Sequence, residues 1–216
     1  YSVIHGLFIL LFSPSILAKA AGIVWLLSPL YVYSLGADRQ AAFVPSSEDR
    51  QFILKCAGDI WRYFEDFIAP EDNFLPPDNW QEQPAAGIAH RTSPTNIGLA
   101  LLSALAALDM KLCSENTALG MIENILAAVR RLPKWNGHLY NWYDTKTLQV
   151  LNPPYVSTVD SGNLAGCLIA LQQGLLDMGQ ARLAEQCSVL LREMDFSCLY
   201  DSTRHLFYIG RDTTKE

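Results

Sequence analysis

Charge divides this chain into two regimes. From Tyr1 to Leu35 the only side chains that are charged or titrate near neutral pH are His5 and Lys19, whereas from Asp38 onward charges recur every few residues, as in a soluble domain. Residues 16–35 (ILAKAAGIVWLLSPLYVYSL) form an apolar run of about twenty residues with one charge near its start. At about 1.5 Å per residue this matches a hydrocarbon core of roughly 30 Å, so a transmembrane helix is predicted there. Pro29 is placed to kink it, and Trp25, Tyr31 and Tyr33 are suited to a membrane interface. Residues 1–12 are also apolar but too short to cross alone, and Ser13-Pro14-Ser15 separates them from the span. A signal peptide and a buried core helix are the competing readings. The first is opposed by the lack of an initiator Met, a basic leading region or an A-x-A site before Asp38. The chain starts in mid-hydrophobic run, as though cut from something longer.

The expected organisation is a membrane segment over 1–36, a polar linker over 37–47 and a helical domain over 48–216. Ser46 or Ser47 is a candidate cap, after which Phe52, Ile53, Cys56, Ile60, Trp61, Phe64 and Phe67 recur at three- and four-residue spacing, giving an amphipathic helix that ends before Pro70. Residues 95–110 carry apolar or small side chains on nearly every face and are expected to be buried all round. Residues 116–132 are amphipathic again, 160–178 repeat the small-and-apolar pattern, and 180–194 return to a mixed one. Such alternation is what two layers of helical hairpins require, the inner layer packed on both sides and the outer one wet on one. The fold class is therefore read as all-α, the N-terminal part of an α/α toroid preceded by a transmembrane helix. A plain helical bundle is the alternative, since these helices do not reveal whether a ring closes.

The connections from outer to inner helices, 70–94 and 133–159, are long, and those from inner to outer are short. In antiparallel hairpins both long loops must emerge on one face, together with the inner-helix N-termini, and function is sought there. The loops read EDNFLPPDNWQEQPAAGIAHRTSP and KWNGHLYNWYDTKTLQVLNPPYVSTVDSGN. Sugars offer hydroxyls around the ring and C–H patches on its faces, so their sites combine amide and carboxylate acceptors with aromatic platforms. Trp80, Trp135, Tyr140, Trp142 and Tyr143 are candidate platforms, with packing as the alternative for each. Asp72, Asp78, Glu82, Asp144 and Asp160 supply the carboxylates that glycosidic chemistry needs. Asp160 could equally cap its helix, and His90 and Arg91 could form structural ion pairs or bind substrate.

The net charge of -6, with signs interspersed, offers no polyanion-binding face, so nucleic acid is not an expected partner. Five widely spaced cysteines without a C-x-x-C pair read as reduced core residues. There is no P-loop, dinucleotide fingerprint or zinc pattern. Asp78, Glu82 and His90 are the one weak metal alternative, and no metal is expected.

Four motifs resemble the glucoamylase-like middle region of cyclic β-1,2-glucan synthases: DNFLPPDNWQE from Asp72, HRTSPTNIG from His90, GHLYNWYDT from Gly137 and YVSTVDSGNLAG from Tyr155. The likeness covers roughly 46–210, and the apolar 16–35 resembles the last membrane helix before that region. It implies a large bacterial inner-membrane protein in which a glycosyltransferase elsewhere in the polypeptide uses UDP-glucose to extend the glucan. The middle region, on the cytoplasmic side, closes linear β-1,2-glucan into a ring by transglycosylation on an α/α toroid. No cofactor is implied in this fragment; its partners are β-1,2-glucan, the lipid bilayer and the rest of the polypeptide. Sugar-site character is carried over to Asp78, Asn79, Glu82, His90, Arg91, Asn141, Trp142, Asp144 and Asp160. The acid/base pair is expected beyond Glu216, so no catalytic residue is assigned and the fragment itself is expected to be inactive. A non-catalytic glucan-holding or length-measuring module and a structural spacer are the rival readings.

Overall fold

The structure is a computed structural model that describes residues 2–36 and 44–214, so most of the linker expected over 37–47 lies outside the described residues. The chain divides into two compact units, 1–49 and 50–216.

The first unit is built on a hairpin of α1 (Ser2–Phe12) and α2 (Ile16–Gly36). Only Gly6 and Gly22 are buried within it, because the helices cross there. A Cβ on Gly6 would stand 2.7 Å from the Gly22 carbonyl oxygen, so only glycine allows this approach. The outward side chains of α2, including Trp25, Leu30, Tyr31 and Tyr33, are exposed. With 21 residues, α2 is long and apolar enough to cross a membrane, and it continues as helix on both sides of Pro29. Serine hydroxyls at 28 and 34 donate to carbonyls three residues back, at Trp25 and Tyr31, which satisfies them within the helix.

The second unit holds α3 (Ser47–Phe67) apart from its first three residues, and α4 (Pro94–Asp109), α5 (Glu115–Arg131), α6 (Thr158–Asp177) and α7 (Ala181–Glu193). Their starts follow local chemistry. Ser93, with Pro94 in the first helical position, caps α4 by accepting from Asn96 N at 3.2 Å. Ser114 caps α5 by accepting from Thr117 N at 3.1 Å, and Arg130 and Arg131 lie in the last turn, where cations favour the helix dipole. The cap of α6 is Ser157, which accepts from Asp160 N at 3.1 Å, so the capping role weighed for Asp160 belongs to another residue.

In this unit α4 packs on α5 and α6, α6 on α7, and α5 touches α7, so α4 and α6 form one layer and α5 and α7 the other. Between them lies the core of Ile97, Leu101, Ile122, Ile125, Leu126, Leu164, Leu168, Leu171 and Leu175. The two helices that are apolar on nearly every face each leave one face exposed. Leu99 is 52% exposed on α4, and Val159, Ile169 and Leu176 are 64%, 59% and 48% exposed on α6. Nothing among the described residues covers those faces. The cysteines are free as expected, yet only Cys187 is buried: Cys56 is exposed and the other three lie between.

The described residues also hold ten strands of two or three residues, most of them too short to show alternation in sequence and missed by the all-α expectation; only 206–210 reads as a short strand from sequence. They are β1 (Trp80–Gln81), β2 (Gly87–Ile88), β3 (Arg91–Thr92), β4 (Lys134–Trp135), β5 (His138–Leu139), β6 (Tyr143–Asp144), β7 (Tyr155–Ser157), β8 (Tyr200–Asp201), β9 (Leu206–Phe207) and β10 (Gly210–Asp212). All pair antiparallel: β1 with β2, β3 with β6, β4 with β5, β7 with β10 and β8 with β9. The β3–β6 pair joins the first long loop to the second.

Candidate carbohydrate site

The site stands over the N-termini of α4 and α6. Thr95 meets Asp160 through a hydrogen bond, Gly98 faces Cys167 and Gly174 faces Leu105, so the contacts advance together along both helices. The helices are therefore parallel, and their N-termini share one end. Both long loops arrive there. Arg91 pairs with Asp144 and Thr92 with Tyr143 across β3 and β6, and Thr145 N donates to the His90 carbonyl at 3.1 Å.

Beneath this junction is a latch around Asp72, a carboxylate only 6% exposed. Its Oδ1 faces His90 Nδ1 at 2.8 Å and accepts the Thr145 hydroxyl. Asn73 Nδ2 adds a bond to the Thr145 carbonyl at 2.9 Å. A carboxylate buried this deeply persists only with such partners, which makes the latch a fixed joint between the loops.

Above it lies a continuous polar and aromatic chain. Asp78 Oδ2 accepts from Arg91 Nε at 3.1 Å and Nη2 at 2.9 Å and from Asn79 Nδ2 at 3.0 Å, while its Oδ1 accepts from Asn96 Nδ2 at 3.2 Å. The Arg91 guanidinium, held by that carboxylate, lies 4.7 Å from the centre of the Trp142 ring. In the amide orientation that matches both neighbours, Asn141 accepts from Trp142 Nε1 at 3.0 Å and donates to Asp160 Oδ2 at 2.9 Å. Asp160 Oδ1 accepts the Thr95 hydroxyl, whose oxygen accepts from Asn163 Nδ2 at 3.1 Å. Beside Asp78 opens a cleft of about 310 Å³ lined by Tyr63, Pro76, Pro77, Asn79, Trp80 and Asn96, among others. Burial, and then the Asp78 charge, push the Tyr63 hydroxyl above its ordinary range, and it donates to the Pro77 carbonyl at 3.0 Å.

Seven of the nine residues read from the sequence are thus brought together at this junction: Asp78, Asn79, His90, Arg91, Asn141, Trp142 and Asp160. Glu82 stands apart, exposed in the turn between β1 and β2 with no hydrogen bond or ion pair among the described residues. Asp144 is backbone-adjacent to Arg91, but its Oδ1 accepts from Thr147 N at 2.7 Å, Lys146 N at 3.0 Å and the Thr147 hydroxyl at 3.0 Å. Those bonds, the Thr147 N–H foremost, lower its carboxyl below the usual range, and the side chain is committed to its own turn. Tyr143 is a correction among the aromatics. It is fully buried, its hydroxyl donates to the Pro133 carbonyl at 2.6 Å, and burial pushes that hydroxyl up, so its ring braces the loop and offers no platform.

Thr95, Asn96 and Asn163 were missed. The Ser-Pro-Thr-Asn run was a sequence signal for the first two, because residues just after an N-cap at a loop-covered helix end face the loops. Among the described residues no three His, Cys, Asp or Glu side chains converge as a metal would require. Of the three residues in the weak metal alternative, Asp78 pairs with Arg91, His90 faces Asp72, and Glu82 stands apart.

No family model matches the chain. In sequence it is 43% identical over 161 residues to the cyclic β-(1,2)-glucan synthase NdvB of Rhizobium meliloti (strain 1021), a match covering 74% of this chain and 6% of that protein. In structure it is similar to a glucoamylase-like protein of Bacteroides fragilis, with a TM-score of 0.64 at 18% identity, over 79% of this chain and 42% of the other. It is also similar to the endo-β-1,2-glucanase of Chitinophaga pinensis, with a TM-score of 0.56 at 15% identity, over 68% and 38%. The β-1,2-glucanase of Parabacteroides distasonis gives 0.62 at 12%, over 77% and 24%. The structural likenesses establish a glucoamylase-like helical fold. Motifs, fold and sequence match together make this chain a relative of the cyclic β-1,2-glucan synthases, similar to one short stretch of such a protein's length.

Proposed function

We propose that this chain is the start of a glucan-handling domain that holds β-1,2-glucan across the junction of the two long loops. In this reading the complete domain is an α/α toroid that cyclises linear β-1,2-glucan by transglycosylation, in a synthase anchored in the bacterial inner membrane by α2. UDP-glucose is consumed elsewhere in that polypeptide, and this domain faces the cytoplasm. The observation that carries the reading is the unbroken run of carboxylates, amides and aromatic rings from Asp78 to Asp160, lying in a stretch that matches the synthase. Amide and carboxylate groups suit the hydroxyls of glucose, and Trp80 and Trp142 suit its C–H faces.

In ring closure a C1–O bond inside the chain breaks and C1 forms a new bond to the 2-hydroxyl at the far end of the same chain. Retention of the β configuration through transfer calls for two carboxylates and exclusion of water. Those two are placed on later helices. The test is the intact protein fed linear β-1,2-glucan and followed by mass spectrometry. Cyclic products, each lighter by one water than the linear chain of equal glucose count, with shorter linear remainders, support cyclisation. Linear chains that bind and stay unchanged favour a holding or length-measuring module. Trp142→Ala is expected to weaken glucan binding about tenfold with an unchanged melting temperature, as loss of a stacked ring of about 1–2 kcal/mol implies. Unchanged binding with a lower melting temperature would make Trp142 a packing residue.

A further inference from the structure

The hydrogen bonds around Asp160 run in one direction. The Asn163 amide donates to Thr95, the Thr95 hydroxyl donates to Asp160 Oδ1, the Asn141 amide donates to Asp160 Oδ2, and the Trp142 indole donates to the Asn141 oxygen. Every N–H and O–H points toward the carboxylate, and both of its oxygens are taken. It is free for this task because Ser157 caps α6 in its place. A second constraint arrives from the other side: Arg91, gripped by Asp78 through two nitrogens, covers Trp142 at 4.7 Å. Trp142 is held at its edge through Asn141 and over its ring by Arg91, and among the described residues no other aromatic ring or cation lies over it.

We propose that Asp160 is a positioning residue: its carboxylate fixes the orientation of the Asn141 amide, which fixes the plane of the Trp142 indole as a platform for a glucose ring. The inference rests on the glucan-binding reading above and adds the reason a carboxylate stands at 160. An amide there has one acceptor oxygen and presents N–H to a neighbour that is itself donating. Asn141 then turns over and withdraws its oxygen from the indole. A platform free to rotate loses part of its stacking energy to the entropy of ordering it again when sugar binds.

The test is a double-mutant cycle in the full-length protein that carries this chain, with linear β-1,2-glucan as the probe and affinity read by calorimetry. Asp160→Asn is expected to weaken binding about tenfold, the scale of a lost hydrogen bond to a charged group. Trp142→Phe keeps a ring and removes the N–H that the relay holds. In that background Asp160→Asn is expected to cost little more, so that the double variant binds like Trp142→Phe alone. Asn141→Ala breaks the relay while keeping the Asp160 carboxylate and its Thr95 bond, and in the Trp142→Phe background it is expected to cost as little, which covers the case where Asp160→Asn disturbs folding. Effects that multiply, or an Asp160→Asn protein that binds like the wild type, overturn the positioning role. A wild-type protein that does not bind linear β-1,2-glucan overturns the functional reading itself, and the inference with it.

Discussion

Asp144 and Asp160 show how one residue type takes two roles on the same face. Asp144 spends its Oδ1 on the turn Asp144–Thr147, with donors two and three positions ahead, whereas Asp160 reaches Asn141 on the second loop and Thr95 on another helix. Asp144→Ala is accordingly expected to lower stability by about 1–2 kcal/mol, the scale of a lost Asx-type turn, with glucan affinity nearly unchanged; thermal melting and calorimetry together check it. The lowered carboxyl of Asp144 also fixes a sign. Its contribution is present above the ordinary carboxylate range and is lost as pH falls through the lowered value. The stability gap between wild type and Asp144→Ala should therefore narrow in acid, and a gap that widened would contradict this assignment. Residues such as these were legible as candidates from the motifs. Which carboxylate was already committed was not, because the competing donors are chosen by the folded backbone.

Among the elements, the β4–β5 hairpin shows what a short strand pair can demand. Gly137 sits in its turn at φ +79°, and a Cβ there would meet the Glu193 carbonyl oxygen at 1.8 Å. The hairpin is tied to the end of α7 by Asp195 N donating to the Asn136 carbonyl at 3.1 Å, and its Lys134 closes α5 by donating to the Val129 carbonyl at 2.9 Å. Burial holds the Lys134 ammonium below its usual range, so this closure is partly dry. Gly137→Ala combines backbone strain with a clash against main chain that has no flexible end to move. It is expected to cost more than about 2 kcal/mol, measured by denaturant unfolding; a loss under about 0.5 kcal/mol would show that α7 and the hairpin shift apart freely. The helices were legible to within a residue or two of their observed ends because apolar spacing and Ser caps are local signals. The strands were not, since pairs such as Arg91 with Asp144 join segments far apart in sequence and only the packing of α4 against α6 sets their register.

Across the whole molecule, the exposed apolar stripe of α6 is the feature with the largest consequence. Val159, Gly162, Gly166, Ile169, Gln173 and Leu176 are all exposed and follow one another at alternating three- and four-residue steps, the spacing of a helix seam. Expressed without residues 1–49, the second unit is expected to self-associate through this stripe. Ile169→Glu with Leu176→Lys should reduce the associated fraction severalfold in sedimentation velocity, at unchanged helical content. A unit that is monomeric from the outset, or association indifferent to both changes, would show that the stripe does not drive it. That these faces are apolar and yet uncovered has a physical reason. Composition reports how apolar a helix is all round, while burial depends on which neighbours are there to cover it.

The sequence by itself determined the apolar span over 16–35, the order and approximate ends of the helices, the two layers, and the convergence of the long loops over the inner-helix N-termini. These rest on short-range physics: hydrophobic periodicity, caps and the geometry of antiparallel hairpins. It also carried the motifs that mark the chain as a relative of the glucan synthases. Only the tertiary structure decided that Tyr143 is a buried brace, that Ser157 and not Asp160 caps α6, that Asp72 locks the loops together, and that one chain of donors runs from Asn163 and Trp142 into Asp160. Each polar group has many partners it could reach in an unfolded chain. Which one it keeps is set when packing brings distant segments within about 3 Å, and no local pattern encodes that choice.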